Sequence, residues 1–147
     1  MTSDFYAKLA AVRRRIHAHP EISENEFETT AFLKEYISKL GIRILETDLP
    51  TGFIAEIGHG KPVIALRADI DALPIKEKNT FDYASQNGAM HACGHDFHQT
   101  SLLGAAEILK AKEEQLKGTV RLIFQPAEEV SVGAYQVIEN GGLKDVS

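Results

Sequence analysis

The sequence holds one cysteine in 147 residues. An internal disulfide is therefore excluded, and a lone thiol suits a reducing compartment, so a cytoplasmic protein is expected. Long apolar runs are absent too. None approaches the ~20 residues that span a bilayer, and the N-terminal stretch MTSDFYAKLAAVRRR lacks the order of features in a secretory signal. Basic charge is in deficit: 16 Lys and Arg stand against 21 Asp and Glu, a net charge of -5. That balance argues against general nucleic-acid binding, and Arg13 to Arg15 read as the wet face of a helix. What is present, 44% hydrophobic and 25% charged residues, is the composition of a globular domain large enough to bury a core.

The elements follow from periodicity. Phe5, Leu9, Val12 and Ile16 recur at helical spacing, so a first helix is expected over 3–17, ended by His17-Ala-His19-Pro20. Ser23 and Glu26 have the spacing of a capping box, and the stripe Leu33, Tyr36, Ile37, Leu40 carries a second helix to Gly41. Two short strands are expected near 42–48 and 52–58, around a turn with Pro50 and Gly52. Val63-Ile64-Ala65-Leu66 is a continuous apolar run and predicts a strand buried on both faces. Residues 76–94 are polar and read as a long loop. A helix with Leu102, Ala105, Ala106 and Leu109 on one face follows, reaching to about Gly118. Then come a core strand over 119–124 and a short helix near 133–140. Strands alternating with helices predict a layered α/β fold, and such folds place ligands beyond the ends of their strands.

The polar clusters sit at those ends. The segment MHACGHDFH brings His91, Cys93, His95, Asp96 and His98 within nine residues. Thiolate sulfur and imidazole nitrogen both ligate zinc and similar ions, and Gly94 lets Cys93 and His95 turn toward one ion. Asp96 and His98 have no fixed role at this stage: each can ligate or can orient a ligand. An isolated Cys-x-His is more often a structural cysteine beside surface histidines; the added residues favour a metal. Asp69 and Asp71 lie two apart at the end of the strand that begins with Val63-Ile64-Ala65-Leu66 and are costly there unless paired, hydrated or metal-linked, although Asp71 can equally cap a turn toward Pro74. Glu128 and Glu129 follow the strand at 119–124. Adjacent glutamates point in different directions, so one can bind a metal while the other serves as a base. Alone, such a pair is usually a solvated surface. His17 and His19 read as helix-end residues rather than ligands, and His59 as a turn residue.

In order, the segments IHAHPEIS, ALRADIDALPI, MHACGHDFHQTSLLGAAEIL and LIFQPAEE…GAYQVIENGGL resemble the metal-dependent aminoacylase/amidohydrolase family of metallopeptidases. That group includes N-acyl-amino-acid amidohydrolases, hippurate hydrolases, N-acetyldiaminopimelate deacetylases and plant auxin-conjugate hydrolases. The resemblance implies an α/β/α catalytic domain with two divalent ions per full site, among zinc, manganese, cobalt and nickel. It makes Cys93, His95 and Glu129 metal ligands and Glu128 the general base, with Asp69 supporting the site. Arg67 stands where the wider superfamily has a ligand histidine. The implied reaction is hydrolysis of the amide of a small N-acyl amino acid: Glu128 deprotonates a metal-bound water and protonates the departing amine.

The resemblance also sets expectations about extent. Members are more than twice as long, with an inserted lid domain that dimerises and further ligand histidines beyond this sequence. Residues 1–147 are thus expected to be the N-terminal part of the catalytic domain, without the lid or the domain's second half. Taken alone the chain is expected to be inactive, with dimerisation possible only through the lid. A non-catalytic metal-binding or interaction fragment is the alternative. A cysteine-nucleophile hydrolase using Cys93 is a weaker one, since it leaves Glu128 and Glu129 without a role. Val130-Ser131-Val132 departs from the small-residue turn usual after the glutamate pair.

Overall fold

The computed structural model describes residues 2–147. Four helices and four strands follow one another as α1 (Ser3–Ala18), α2 (Phe27–Lys39), β1 (Arg43–Ile44), β2 (Phe53–Gly58), β3 (Val63–Asp69), α3 (His95–Lys110), β4 (Thr119–Gln125) and α4 (Gly133–Glu139). The strands form one sheet in the order β1-β2-β4-β3. β2 runs antiparallel to β4, with Phe53 opposite Phe124, and β3 runs parallel to β4, with Asp69 opposite Gln125.

Alternation along the strands sorts the sheet into two faces. Phe53, Ala55 and Ile57 of β2 and Leu122 and Phe124 of β4 join Ile16, Leu33, Ile37, Leu102, Leu103 and Ala106 of the helices in one core. The Phe53 and Phe124 rings stack 4.5 Å apart. Each fully buried side chain of this kind contributes about 1.5–3 kcal/mol. Ile54 and Ile123 face the other way and are buried with Val137 of α4, which completes the layering. Helix α1 crosses α3 closely: a Cβ on Gly104 would lie 2.8 Å from Leu9 Cδ1, so only glycine fits without displacing that side chain. Among the described residues no helix is long and apolar enough to cross a membrane.

The layered α/β architecture agrees with the sequence expectation, and four local readings are corrected. The strand expected from Val63-Ile64-Ala65-Leu66 is not buried on both faces. β3 lies at the edge of the sheet beside β4, with only a single bridge from Val63 to Val146 on its other side, and Ile64 is 54% exposed. The first strand shrinks to Arg43–Ile44. Helix α3 stops at Lys110, and a 3-10 turn at Glu113–Gln115 covers part of the remaining distance to Gly118. The expected capping box does not form either. Ser23 Oγ donates to Asp71 instead, and Glu21 accepts the Glu28 and Thr29 amides at the start of α2. A distant acceptor, Asp71, takes the Ser23 hydroxyl and distant donors, Thr51 and Ala127, take the Glu26 carboxylate, so distant pairings win over the local one.

Candidate metal centre

Three chain segments meet beyond the carboxyl ends of the parallel pair β3 and β4. Asp69 ends β3, and Asp71 follows two residues later. Gly94, at φ +84, turns the chain into α3, whose first residue is His95. Beyond β4, Pro126 and Ala127 lead into Glu128 and Glu129. That last turn is tight: Gly133 donates to the Ala127 carbonyl, and a Cβ at position 133 would lie 1.6 Å from the Pro126 carbonyl oxygen. Ser131, within the same turn, adopts φ +62, a conformation that favours glycine. The sequence departure at 130–132 therefore falls where the backbone feels it.

His95 is the centre of the cluster. Its Nδ1 lies 2.9 Å from the Asp71 carbonyl oxygen and 3.2 Å from Asp71 Oδ1. Two acceptors on that side hold a proton on Nδ1, so Nε2 is the nitrogen that offers a lone pair once the ring is neutral. Nε2 faces Asp69 Oδ1 at 3.6 Å, Glu128 Oε2 at 3.7 Å and Glu129 Oε1 at 3.8 Å. Among the described residues two overlapping groups have metal-compatible spacing: His95 with Glu128 and Glu129, and His95 with Asp69 and His98. Glu129 Oε1 is buried without a hydrogen-bond donor. A nitrogen lone pair, converging carboxylates and an orphaned carboxylate oxygen fit a divalent cation.

The electrostatics agree with that chemistry. Burial by itself would lower the His95 pKa, but the Asp71 hydrogen bond and the Asp69 and Asp71 charges overcome it and raise it to about 9. Asp71 moves the other way. Burial opposes its ionisation, yet His95, Ser23 and the Glu129 and Glu128 amides hold it at about 2. Cys93 is exposed, and its thiol is pushed up to about 11, first by a hydrogen bond with Glu129 and then by burial and the neighbouring carboxylates. A thiol so placed is protonated at neutral pH, which disfavours Cys93 as an unassisted nucleophile. A divalent ion reverses this, because a coordinating thiol is deprotonated outright.

The residues named from sequence separate into three groups. His95, Glu128, Glu129 and Asp69 converge. Cys93 stands beside Glu129 but outside the two compact groups. His98 Nδ1 pairs with Asp69 Oδ1 at 2.7 Å, and Arg67 holds the other Asp69 oxygen at 3.0 Å.

Asp71 caps no turn toward Pro74. It is fully buried, takes hydrogen bonds from Ser23 Oγ (2.7 Å) and the Glu129 amide (2.9 Å), and braces His95. His17, read as a helix-end residue, is buried and bridges Asp96 (2.7 Å) to Glu77 (3.0 Å). Those contacts tie α1 to the loop at 76–94 and to the start of α3. No local pattern in the sequence signals His17 or Glu77, because their partners are 79 and 60 residues away.

Comparison with known proteins is consistent with this geometry. The sequence profile of peptidase family M20/M25/M40 matches residues 65–146. An N-acetyl-L-cysteine deacetylase of Bacillus subtilis is 55% identical over 142 residues, covering 95% of this chain and 34% of the relative. An IAA-amino acid hydrolase of Arabidopsis thaliana, ILR1-like 5, is 47% identical over 145 residues, covering 97% of this chain and 33% of the relative. The crystal structure of the Bacillus subtilis YXEP protein, described as a dinuclear metal binding peptidase from the M20 family, superposes with a TM-score of 0.96 at 50% identity, covering all of this chain and 42% of that one. The chain thus spans about a third of the length of the two sequence relatives.

Proposed function

The chain belongs to peptidase family M20/M25/M40, and from that membership we propose that it contributes the first half of the active site of a metal-dependent amidohydrolase acting on N-acyl amino acids. The observation that carries the reading is the convergence of Asp69, Glu128 and Glu129 on His95 Nε2 at 3.6–3.8 Å. Relatives that cleave N-acetylcysteine and auxin conjugates of amino acids support an amide between a small acyl group and an amino acid as the substrate class.

In this reading Cys93, His95 and Glu129 hold the metal. A bound divalent ion, zinc, manganese, cobalt or nickel, supplies a Lewis acid for the acyl carbonyl and lowers the pKa of a water. The protein's own groups do the rest. Asp71 fixes the His95 ring and its tautomer, so Nε2 points into the site. The Glu129 amide, bound to Asp71, anchors the glutamate turn. Glu128 is the more open of the pair, with 42% of its side chain exposed against 16% for Glu129. That openness suits a general base, which must meet a water, take its proton and pass it to the leaving amine. Asp69, held by Arg67 and His98, supports the site from outside the ligand set.

Residues 1–147 then form the N-terminal part of the catalytic domain, acting in the cytoplasm on a small-molecule substrate. Relatives about three times as long support a second expectation, that the chain alone binds metal without turnover. The test pairs elemental analysis with hydrolysis of a panel of N-acyl amino acids, on this chain and on the longest protein its gene encodes. Glu128→Gln in the longer protein should keep the metal and lose hydrolysis by at least about a hundredfold. Full turnover in that variant overturns the assignment of Glu128. Metal-dependent turnover by the 147-residue chain overturns the expectation that it is inert alone.

A further inference from the structure

Glu26 is fully buried, yet it makes no ion pair among the described residues. A carboxylate without a cation in a protein interior needs a compensating set of donors. It has two. Thr51 Oγ1 donates to Oε2 at 2.7 Å, and the Ala127 amide donates to Oε1 at 2.8 Å across 101 residues of sequence. Ala127 is itself fully buried and adopts φ +48, outside the regions an alanine prefers, and it immediately precedes Glu128 and Glu129. A non-glycine residue holds such a conformation only when its surroundings over-determine it. Here two contacts grip Ala127: Glu26 takes its amide, and Gly133 donates to its carbonyl at 3.1 Å.

We propose that Glu26 is a positioning residue for the Glu128–Glu129 pair: from the start of α2 it fixes the backbone of Ala127 and thereby sets the direction in which the two glutamates leave the turn. Asp71 grips the same turn from the other side through the Glu129 amide at 2.9 Å. The pair is thus clamped by two buried carboxylates, one on each side of Glu128. Releasing Glu26 lets Ala127 relax toward ordinary φ values, which rotates the following peptide and swings Glu129 away from His95. The inference rests on the reading of Glu129 as a metal ligand, and the experiment separates the two.

Two conservative substitutions divide reach from the identity of the head group. Glu26→Gln keeps the length: its carbonyl oxygen accepts from Ala127 while its amide donates to Thr51 Oγ1. Glu26→Asp keeps the carboxyl group but is one methylene short, so one side chain cannot serve both donors. Cobalt(II) alone, titrated calorimetrically into the chain at fixed pH, is the probe, with Glu129→Gln as the reference variant.

The expected result is near wild-type affinity for E26Q and a loss of at least about tenfold for both E26D and E129Q, in proteins that remain folded. Equal affinities for E26Q and E26D, with E129Q weakened, overturn the positioning role. Wild-type affinity in E129Q removes the premise, and the proposal falls with it. Should E26D not fold, the Ala127 amide resonance decides in its place. It should shift between wild type and E26Q more than the amides of α2 do, since its acceptor has changed, and an unmoved resonance overturns the proposal.

Discussion

In the proposed site His95 has two roles that pull its protonation in opposite directions. Without metal, the surrounding carboxylates favour the imidazolium, with a pKa of about 9. As a ligand it must be neutral. If His95 is a ligand, metal binding at pH 7 expels its proton, and a second leaves Cys93 if the thiol, at about 11, also ligates. Affinity for cobalt(II) should rise steadily from pH 6 to 8. Calorimetry in buffers of different ionisation enthalpy should find about two protons released per ion; a count near zero excludes both residues as ligands. Cys93→Ala should weaken binding at least about tenfold while His59→Ala leaves it unchanged, and equal losses would refute the assignment.

His91, whose buried ring nitrogens have no hydrogen-bond partner, gives a separate test. Burial holds its pKa at about 4, below the unfolded value, so its neutral form is the folded one. The unfolded chain takes up this proton first as the pH falls. Stability is therefore complete above about 6.5 and drains away between there and about 4, by up to roughly 3 kcal/mol from this group. Urea melts of wild type and His91→Gln at pH 7.5 and 5 should show a smaller loss in the variant. Identical losses would mean that His91 does not carry the effect.

At the scale of elements, legibility depended on how far apart the partners are. The Cys93-Gly94-His95 cluster stood out because its chemistry lies within a few residues, and Glu128 and Glu129 stood out because a strand pattern ends just before them. Asp71 and Glu26 could not be read in the same way. Each bonds an amide 58 or 101 residues distant, and Glu26 even fits the spacing of a local cap that does not form. The misjudged burial of β3 has a similar origin. Val63 to Leu66 record which residues are apolar, but nothing in them says that the strand lies at the sheet's edge.

Arg121 shows the same distance problem. It lies mid-strand in β4, opposite Glu56, with its Nε and Nη2 at 3.0 and 2.7 Å from Glu56 Oε1. Its Nη1 gathers the carbonyls of Gly141, Gly142 and Lys144 behind α4. Arg121→Ala leaves the half-buried Glu56 with Arg43 as its one remaining cation among the described residues and takes the donor from those carbonyls. A loss of about 3 kcal/mol is expected in denaturant melts, the scale of a buried pair broken on one side. A loss below about 1 kcal/mol would show that water replaces the guanidinium without penalty.

For the molecule as a whole, the fold class and the family are legible because helices and strands alternate and because the signature segments lie in order along the chain. Substrate preference is not, since no residue of this chain has been placed against an acyl group or an amino-acid side chain. Metal should act on the whole molecule at once, because its proposed ligands come from the start of α3 and from the turn after β4. Cobalt(II) at about a hundred times its dissociation constant should stabilise the chain by about 2.7 kcal/mol, reversed by a chelator. An unchanged melting temperature would mean the metal does not prefer the folded state.

The crossover from β3 to β4 has a consequence for the order of events during folding. Closing the parallel pair requires that the intervening chain, with α3, has already found its place, and only then do Glu26 and Ala127 meet. The site is therefore expected to form late in folding, since contacts across so many residues close last. An ion that recognises it arrives after the folding barrier has been crossed. In stopped-flow experiments it should leave the rate of refolding unchanged and slow only the rate of unfolding, so the metal acts as a latch on a finished structure rather than as its nucleus.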